Sequence, residues 1–574
     1  MGFDAMVRKW VKVIAGVAAT GVAAGSIFLT SSTSSAADAH VIPFDPLVID
    51  DVQALQETYG VVVAAPRKTQ RALEADDPTA TAGCGPAAVS PVNDGDKIVV
   101  SMPPAPAFTV GSIAASSWRN PPSADPTWRM NYLGLMWMKS LARRAAMDGQ
   151  SQALTALVDQ AVKFYAQNPD PKTATHGWDE GTALRRLESM NCLFALTQDD
   201  KLRAGMTADA GVLLGGRYYG PPNYKVHNHG LMANLQLVRA SDQLGVAAWK
   251  TTAVGRMVSE APQVFSKLGV SHEQSSEYQL VNANLWTSGA NALEAAGQTS
   301  AAASIRTTVD KARTAYEWMT EPDGKIVQIG DSDQAAGLTG SLTTPRVLRD
   351  DQTGWAIGRW SWTDPNALYY TIRYGPARTA HGQHDRAGGV TFTGKGVRAL
   401  VGPGRFSYDK ANNYALYQLS PLSHNVALPS GKAVTNAGGT VAASTIQTAA
   451  HGWSIKDTMF GVAHTRGVNV NRDTTTMKVT DTFGGGISLW RQYWHLDPAW
   501  QLTSGGPNGT KLVFTHPSGR KLTVTTNGRV SSLARGVTRP PAGWNFPKFG
   551  SRVQNYEIVI RSYGKSSVTS FQIS

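Results

Sequence analysis

The sequence predicts two structural parts, an all-α domain followed by antiparallel β-sheets that pack as a sandwich. Between about residues 129 and 320, apolar residues recur with the spacing of helices, and Gly, Pro and Asn separate the helical stretches. After about residue 346, Ala and Leu become less frequent while Thr, Val, Gly and aromatic residues increase. The many short strands that follow indicate antiparallel sheets.

The best-defined helix of the first part lies near residues 154–165. Leu154, Leu157, Val158 and Ala161 recur at i, i+3, i+4 and i+7, so they share one helix face. Similar Ala- and Leu-rich stretches predict further helices. They cover residues 182–198, 230–246, 254–268, 281–297 and 300–317.

Segments rich in Val, Thr and aromatic residues predict the strands of the second part. The turn sequences Pro-Ser-Gly at 517–519 and Thr-Asn-Gly at 526–528 favour hairpins. The predicted strands include residues 367–374, 511–515, 521–526 and 555–561.

The first forty residues have the features of a secretory signal peptide in the expected order. Arg8, Lys9 and Lys12 precede an apolar run, and a Ser- and Ala-rich stretch ends at Ala37-Asp38-Ala39. We therefore expect a secreted protein with no membrane segment after cleavage, and an uncleaved membrane anchor is the alternative. The predicted organisation is a signal peptide at 1–39, an irregular lead-in at 40–110, the helical domain at 111–345 and the β-sandwich at 346–574.

Composition excludes several classes of protein. With 42% hydrophobic and 17% charged residues, the 574-residue chain can form cores and is not disordered. Its two cysteines exclude a disulfide-built scaffold and a Cys-rich metal protein. In an exported chain Cys84 and Cys192 could pair, but their spacing alone leaves this open.

The positive charge belongs to one half of the chain. The whole sequence has 54 Lys+Arg against 42 Asp+Glu, a net charge of +12. Residues 346–574 contain 26 Lys+Arg and 10 Asp+Glu, a net charge of +16, so residues 1–345 have a net charge of −4. In an exported protein, this distribution favours an acidic polysaccharide over nucleic acid as the partner.

Several short segments carry residues that could perform chemistry. Asn228 and His229 stand where a helix is predicted to begin, a position where Asn commonly serves only as a cap. His381, His384 and Asp385 lie within five residues, which suits a metal site or a catalytic loop if partners come from elsewhere. The segments are residues 223–230, 271–280, 381–389, 402–408 and 423–425.

In their order along the chain, these segments resemble the heparinase II/III-like polysaccharide lyases, which include several alginate lyase families. The resemblance covers residues 128–431 and continues more faintly to the end. It implies an (α/α) toroid followed by an antiparallel β-sandwich, in agreement with the two parts predicted above. The matching segments are Trp178-Asp179-Glu180-Gly181-Thr182 with Arg185 and Arg186, Asn228-His229-Gly230, Glu273 through Tyr278, Gly330-Asp331-Ser332, residues 354–362, His381-Gly382 with Asp385, and residues 402–408 followed by His424-Asn425.

The resemblance also implies cleavage of a uronate-containing polysaccharide by β-elimination. This chemistry needs donors that neutralise the carboxylate beside the C5 hydrogen, a base that removes that hydrogen, and an acid that protonates the leaving oxygen. By resemblance, Asn228 binds the carboxylate and His229 acts there or as the base. Tyr278 matches the general acid, which for one substrate geometry is also the base, and His381 matches a His that reaches the cleft.

Four further residues are candidates for substrate binding. Tyr408 matches a position that contacts substrate, whereas Trp178 and Arg186 are looser candidates for which packing within the toroid is the alternative. The neighbouring His384 leaves open which His enters the site, although the spacing to Asp385 favours His381.

The sequence departs from the family at its zinc site. The resemblance places three zinc ligands at positions that here read Gln383, Gly402 and His424. Neither Gly nor a neutral Gln is a usual zinc ligand, so we expect no zinc there and no other cofactor.

Two other functions remain open from the sequence. One is a glycoside hydrolase, which needs two carboxylates across the scissile bond; Asp179, Glu180 and Asp331 are available, but no sequence feature pairs them. The other is a non-catalytic protein that binds acidic glycans. For a lyase, the sequence does not distinguish heparin- or heparan-like from alginate-like substrates, and it leaves the oligomeric state open.

Overall fold

A computed structural model describes most of the chain after residue 126, and its contacts divide it into two compact units. We call these the helical unit, with the described residues up to His272 and Gln279–Ala315, and the sheet unit, with Glu273–Tyr278 and Tyr316–Ser574. The structure describes residues 83–84, 91–94, 97–100, 108–109, 118 and 121, and 126–574 without 173–175, 217–227, 339, 341, 345, 409–410 and 488. The predicted signal peptide at 1–39 therefore lies outside the described residues.

Helices occupy most of residues 126–318, as the apolar periodicity predicted. The predicted stripe near residues 154–165 is confirmed for Leu157, Val158 and Ala161, which are buried on a single helix, whereas Leu154 is half-buried. The helices are α1 (Pro126–Leu133), α2 (Trp137–Met147), α3 (Ser151–Gln167), α4 (Glu180–Thr197), α5 (Arg203–Leu214), α6 (Asn228–Leu244), α7 (Ala247–Val264), α8 (Ser276–Ala295) and α9 (Thr299–Trp318).

A disulfide joins the two cysteines. The sulfur atoms of Cys84 and Cys192 are 2.07 Å apart, and both residues are buried in the helical unit. The bridge ties the segment around Cys84 to the middle of α4, which answers the question that their spacing left open.

A small antiparallel sheet lies within residues 40–110, where the sequence predicted an irregular lead-in. Its strands are β1 (Pro91–Asp94), β2 (Lys97–Val100) and β3 (Phe108–Thr109). In the described part of the chain, no helix is both long and apolar enough to span a bilayer.

The sheet unit contains three larger antiparallel sheets. The five-stranded sheet runs in chain order through β4 (Val347–Asp350), β5 (Trp355–Arg359), β6 (Tyr369–Arg373), β7 (Gly389–Gly394) and β8 (Val397–Leu400). The short helix α10 (Asn413–Leu419) follows it. The next strands are β9 (Ala427–Pro429), β10 (Gly439–Ile446), β11 (Ala450–Asp457), β12 (His464–Asn471), β13 (Thr476–Phe483), β14 (Leu489–His495), β15 (Gln501–Ser504), β16 (Lys511–Thr515), β17 (Lys521–Thr526) and β18 (Arg529–Arg535).

The remaining strands are β19 (Val537–Thr538), β20 (Pro541–Ala542), β21 (Trp544–Asn545), β22 (Val553–Gln554), β23 (Tyr556–Tyr563) and β24 (Ser566–Ile573). Of these, β19 pairs with β20 and β21 with β22 in two small separate sheets, whereas β23 and β24 belong to the two other large sheets. The eight-stranded sheet has the order β10-β11-β12-β13-β24-β17-β16-β15, and the four-stranded sheet has the order β18-β23-β14-β9. The predicted strands at 511–515 and 521–526 match β16 and β17 residue for residue.

One apolar core lies among these three sheets. Tyr370 of the five-stranded sheet, Trp453 and Phe571 of the eight-stranded sheet, and Trp494 and Ile558 of the four-stranded sheet belong to the same buried cluster. Burial of such large side chains fixes the strand register, because a slip of one residue would turn each of them to the opposite face. The loops that carry the candidate site residues are therefore anchored to a rigid scaffold.

Candidate active site

The segment that carries Tyr278 is bonded to the chain around Asp331. Ser275 Oγ donates to the Asp331 carbonyl at 2.8 Å, and the Ser276 amide donates to the Ile329 carbonyl at 3.0 Å. Gly330 allows this close approach: a Cβ on it would lie 2.5 Å from the Gln274 carbonyl oxygen, and its φ of +66° is one that L side chains rarely adopt. The Gly-Asp-Ser sequence therefore brings the start of α8 beside the loop that carries the histidines.

The ring of Tyr278 stacks on that of His381. The ring centroids are 3.3 Å apart, the planes differ by 10°, and both residues are buried. His381 Nδ1 lies 3.2 Å from Asp331 Oδ2, and Nε2 lies 3.9 Å from Glu273 Oε2. A carboxylate at Nδ1 favours the tautomer that donates from this nitrogen, which leaves the lone pair on Nε2. His381, and not His384, therefore stacks on Tyr278.

Tyr408 and Arg405 complete this group. The hydroxyl oxygens of Tyr278 and Tyr408 are 3.4 Å apart, and Arg405 Nη1 lies 3.4 Å from the Tyr408 hydroxyl. Arg405 is held by Glu277 Oε1 and Asp333 Oδ1, each 3.1 Å from its Nη2. A guanidinium in a fixed position therefore lies beside the phenols. We refer to Tyr278, His381, Asp331, Tyr408 and Arg405 as the tyrosine–histidine cluster.

Both phenols of the cluster retain their protons at neutral pH. Burial raises the pKa of Tyr278 well above 10, Tyr408 adds to the rise, and Arg405 opposes it. Burial likewise raises the pKa of Tyr408, where Asp331 adds to the rise and Arg405 again opposes it. Two protonated hydroxyls beside a cation can donate protons and can stabilise developing negative charge.

The residues at the family's zinc positions do not fit a zinc ion. Gln383 Nε2 donates to Asp331 Oδ1 at 3.0 Å and to the Gly404 carbonyl at 3.1 Å, and Gln383 Oε1 lies 3.0 Å from His424 Nε2. A Cβ on Gly402 would lie 1.9 Å from the Gln328 carbonyl oxygen, so this position has no room for a carboxylate side chain. A hydrogen-bonded chain from His424 through Gln383 to Asp331 occupies the region instead.

His384 belongs to a different environment. Its Nδ1 lies 3.2 Å from Arg386 Nη1. Burial, together with the charges of Arg386 and Arg378, lowers the pKa of His384 to about 3. Its ring is therefore neutral and accepts a hydrogen bond from Arg386, which favours a structural role over substrate binding.

Asn228 and His229 lie at the start of α6 in the helical unit. Asn228 is the first residue of this helix, and His229 is buried. The Cε1 atom of His229 would lie 3.9 Å from a Cβ on Gly181, which belongs to the Trp178–Thr182 match. Two of the matching segments, distant in sequence, are therefore neighbours in the helical unit.

Trp178 and Arg186 are buried inside the helical unit. The indole nitrogen of Trp178 donates to the Asn168 carbonyl at 3.1 Å. Arg186 pairs with the buried Asp209, and its guanidinium carbon lies 4.5 Å from the Trp178 ring centroid and 4.3 Å from that of Phe164. These contacts favour the packing alternative over sugar binding for both residues.

Neither a role for Arg405 nor the contact between Asp331 and His381 was predicted from the sequence. Asp331 lies inside the Gly330-Asp331-Ser332 match, and Arg405 lies inside the turn at 402–408. The signal was therefore present, but the partners of these side chains are far away in sequence: Glu277 lies 128 residues before Arg405, and Asp331 lies 50 residues before His381.

Solved structures share the fold of this chain. A heparinase III, the BT4657 gene product, matches with a TM-score of 0.65 and 12% identity over 90% of this chain and 85% of that one. Heparan sulfate lyase HepC from Pedobacter heparinus matches with a TM-score of 0.62 and 14% identity over 92% of this chain and 87% of that one.

The chain has the heparinase III fold. The predicted fold class, an (α/α) toroid followed by an antiparallel β-sandwich, is thus confirmed. No protein-family model matches the sequence, and no curated protein matches it at a significant level. At 12–14% identity, the structural likeness establishes the fold and leaves the activity to the residues of the site.

Proposed function

We propose that this protein is a secreted polysaccharide lyase that cleaves a uronate-containing acidic polysaccharide by β-elimination. The observation that carries this proposal is the stack of Tyr278 on His381, whose imidazole is oriented by Asp331. A proton donor and a proton acceptor lie in contact there, beside the Arg405 cation. General acid–base chemistry on a substrate that develops negative charge requires this set of groups.

In the proposed reaction, a base removes the C5 proton of the uronate and the electron pair forms the C4–C5 double bond. The C4–O bond breaks, and the leaving oxygen takes a proton. Tyr278 suits the acid role, because burial keeps its hydroxyl protonated at neutral pH. His381 and His229 are the two imidazoles that can serve as the base, His381 through Nε2 and His229 in the role that the resemblance implies. Asn228 keeps its implied role, donating to the substrate carboxylate.

The substrate class is a uronate polymer, heparin- or heparan-like or alginate-like. Heparan sulfate is the first substrate to test, since one structure of the same fold is a heparan sulfate lyase. The net +16 of residues 346–574 supports a polyanionic partner. The features of the first 39 residues support export, so the proposed place of action is outside the cell.

The hydrolase alternative is less well supported. Both carboxylate oxygens of Asp331 already have donors, since Oδ2 faces His381 Nδ1 and Oδ1 accepts from Gln383 Nε2. A hydrolytic acid or nucleophile would have to give up these partners. Asp331 is therefore better suited to orienting His381 than to attacking a sugar.

The test is an ultraviolet assay on a panel of heparan sulfate, heparin and alginate at several pH values. A lyase creates unsaturated uronate ends that absorb ultraviolet light, whereas a hydrolase adds water and creates none. We expect absorbance to rise with at least one polymer. New reducing ends without absorbance would establish hydrolysis, and binding without any new ends would establish a glycan-binding protein; either result would overturn the proposal.

A further inference from the structure

Phe549 is an exposed aromatic ring beside the tyrosine–histidine cluster. It is 46% exposed, and among the described residues only Tyr563, at 65%, is an aromatic side chain in the same exposed class. The ring centroid of Phe549 is 5.7 Å from that of Tyr408 and 5.3 Å from the guanidinium carbon of Arg405. A single exposed apolar residue is ordinary on a protein surface, but this ring contacts two members of the cluster and so extends the cluster toward water.

The loop that carries Phe549 is held in place by hydrogen bonds. The Phe549 amide donates to Asp333 Oδ1 at 3.0 Å, the same carboxylate that binds Arg405. On either side, the Pro547 carbonyl accepts from the Gln334 amide at 2.7 Å, and the Gly550 amide donates to the Phe406 carbonyl at 2.8 Å. The backbone that carries the ring is therefore held in place, which lowers the entropic cost of using the ring as a binding surface.

Cations flank Phe549 in the sequence. Lys548 and Arg552 are exposed, and the Arg552 guanidinium carbon lies 4.3 Å from the centroid of Tyr414 and 5.1 Å from that of Trp544. Residues 501–574 contain four Lys and six Arg but a single acidic residue, Glu557, which is buried. Residues 501–574 thus bring positive charge without an exposed acidic side chain, and the carboxylate beside Phe549, that of Asp333, is already paired with Arg405.

We propose that Phe549, with Lys548 and Arg552, forms a sugar-binding position next to the tyrosine–histidine cluster. The C–H face of a pyranose ring packs on an aromatic face, and the carboxylate or sulfate of that sugar binds the flanking cations. The occupant is a residue of the acidic polysaccharide one or more units away from the bond that is cleaved. This inference rests on the proposed function and adds to it a specificity-determining position outside the catalytic group.

The test compares Phe549→Ala and Phe549→Trp with Tyr563→Ala, which removes the other exposed aromatic ring. Kinetics use the polymer that gives the strongest ultraviolet signal, and calorimetry measures the Kd of its oligosaccharides. We expect Phe549→Ala to raise KM and Kd about tenfold, which corresponds to about 1.4 kcal/mol. The change in kcat should be smaller than that in KM, Phe549→Trp should recover most of the affinity, and Tyr563→Ala should match the wild type.

Three outcomes separate this inference from the proposed function. If the wild type cleaves a polymer and Phe549→Ala has unchanged KM and Kd, the sugar-binding position is wrong while the lyase proposal stands. If the wild type binds an acidic oligosaccharide without cleaving it, and Phe549→Ala weakens that binding, the position is supported while the lyase proposal fails. If the wild type binds none of heparan sulfate, heparin or alginate, both are overturned.

Discussion

Tyr278 and His381 stack face to face, with ring centroids 3.3 Å apart and planes within 10° of parallel. The two residues come from different segments of the sheet unit, the start of α8 and the loop before β7. Gly330 lets these segments approach, because any side chain there would meet both the Gln274 and His381 carbonyl oxygens. The backbone thus places a phenol and an imidazole in contact before any substrate binds.

Removing the Tyr278 hydroxyl should stop the reaction without preventing binding. Tyr278→Phe keeps the ring and its stack on His381 but has no proton to give to the leaving oxygen. We expect kcat to fall by about 10²- to 10⁴-fold, with KM within about twofold of the wild type. Initial rates of ultraviolet absorbance measure both. Tyr563→Phe, at an exposed position in β23, is the matched control. A Tyr278→Phe enzyme with the wild-type kcat would exclude Tyr278 as the acid.

Gln383 should position Asp331, and through it His381, in place of the family's zinc ion. Its amide donates to Asp331 and its carbonyl oxygen faces His424, so Gln383→Leu removes both links without much change in size. We expect kcat to fall about tenfold, equivalent to about 1.4 kcal/mol, with little change in KM. A purely structural role for Gln383 would instead lower the stability of the variant in denaturant and leave the kcat of the folded enzyme unchanged.

Metal content provides a second measurement at the same site. Purified wild-type protein should contain no stoichiometric zinc by mass spectrometry. Gln383→His should acquire none either, since Gly402 has no room for a third ligand. One equivalent of tightly bound zinc in the wild type would show that the hydrogen-bonded chain described here is not the working state of the enzyme.

Features that depend on a short stretch of sequence were predicted better than features that depend on contacts between distant residues. The stripe on α3 and the strands β16 and β17 follow from spacing and composition within short windows, and they were predicted closely. Trp178 and Arg186 show the limit of such reasoning. An aromatic ring and a guanidinium suit a sugar site and a buried cation–π pair equally well, and only the tertiary contact of Arg186 with Asp209 distinguishes the two.

The candidate site shows the same limit. The order of the matching segments was sufficient to select Tyr278, His381 and Tyr408, which the fold does bring together. Asp331 orients the imidazole of His381, and Arg405 places a cation beside the phenols. The partners of both residues are far away in the sequence, so no local pattern revealed their roles. Phe549 lay outside every matching segment, and its exposure is a property of the folded surface alone.

Salt should weaken substrate binding. The sheet unit carries most of the chain's basic excess, and exposed charges are screened over about 10 Å at 0.1 M ionic strength. We expect KM to rise several-fold between about 0.05 and about 0.5 M sodium chloride, with a smaller change in kcat. Sucrose at the same osmolality controls for crowding and water activity. A KM that does not respond to salt would show that these cations do not contribute to binding.

The stability of the helical unit should depend on pH through Glu260. This residue of α7 is fully buried, neither carboxyl oxygen has a hydrogen-bond partner among the described residues, and burial raises its pKa from 4.5 to about 8. Between these values the unfolded chain loses a proton that the folded protein keeps, so stability falls as the pH rises and the loss is complete above about pH 8. Glu260→Gln stays neutral and avoids this loss.

We therefore expect Glu260→Gln to be as stable as the wild type near pH 4.5 and a few kcal/mol more stable above pH 8, since each pKa unit corresponds to about 1.4 kcal/mol. Denaturant unfolding at the two pH values measures the difference. Asp310→Asn, at an exposed position of α9, controls for the loss of a negative charge. Equal stability of Glu260→Gln and the wild type at alkaline pH would mean that the Glu260 carboxyl gains a partner or water in solution, because only a desolvated carboxyl produces the predicted pH dependence.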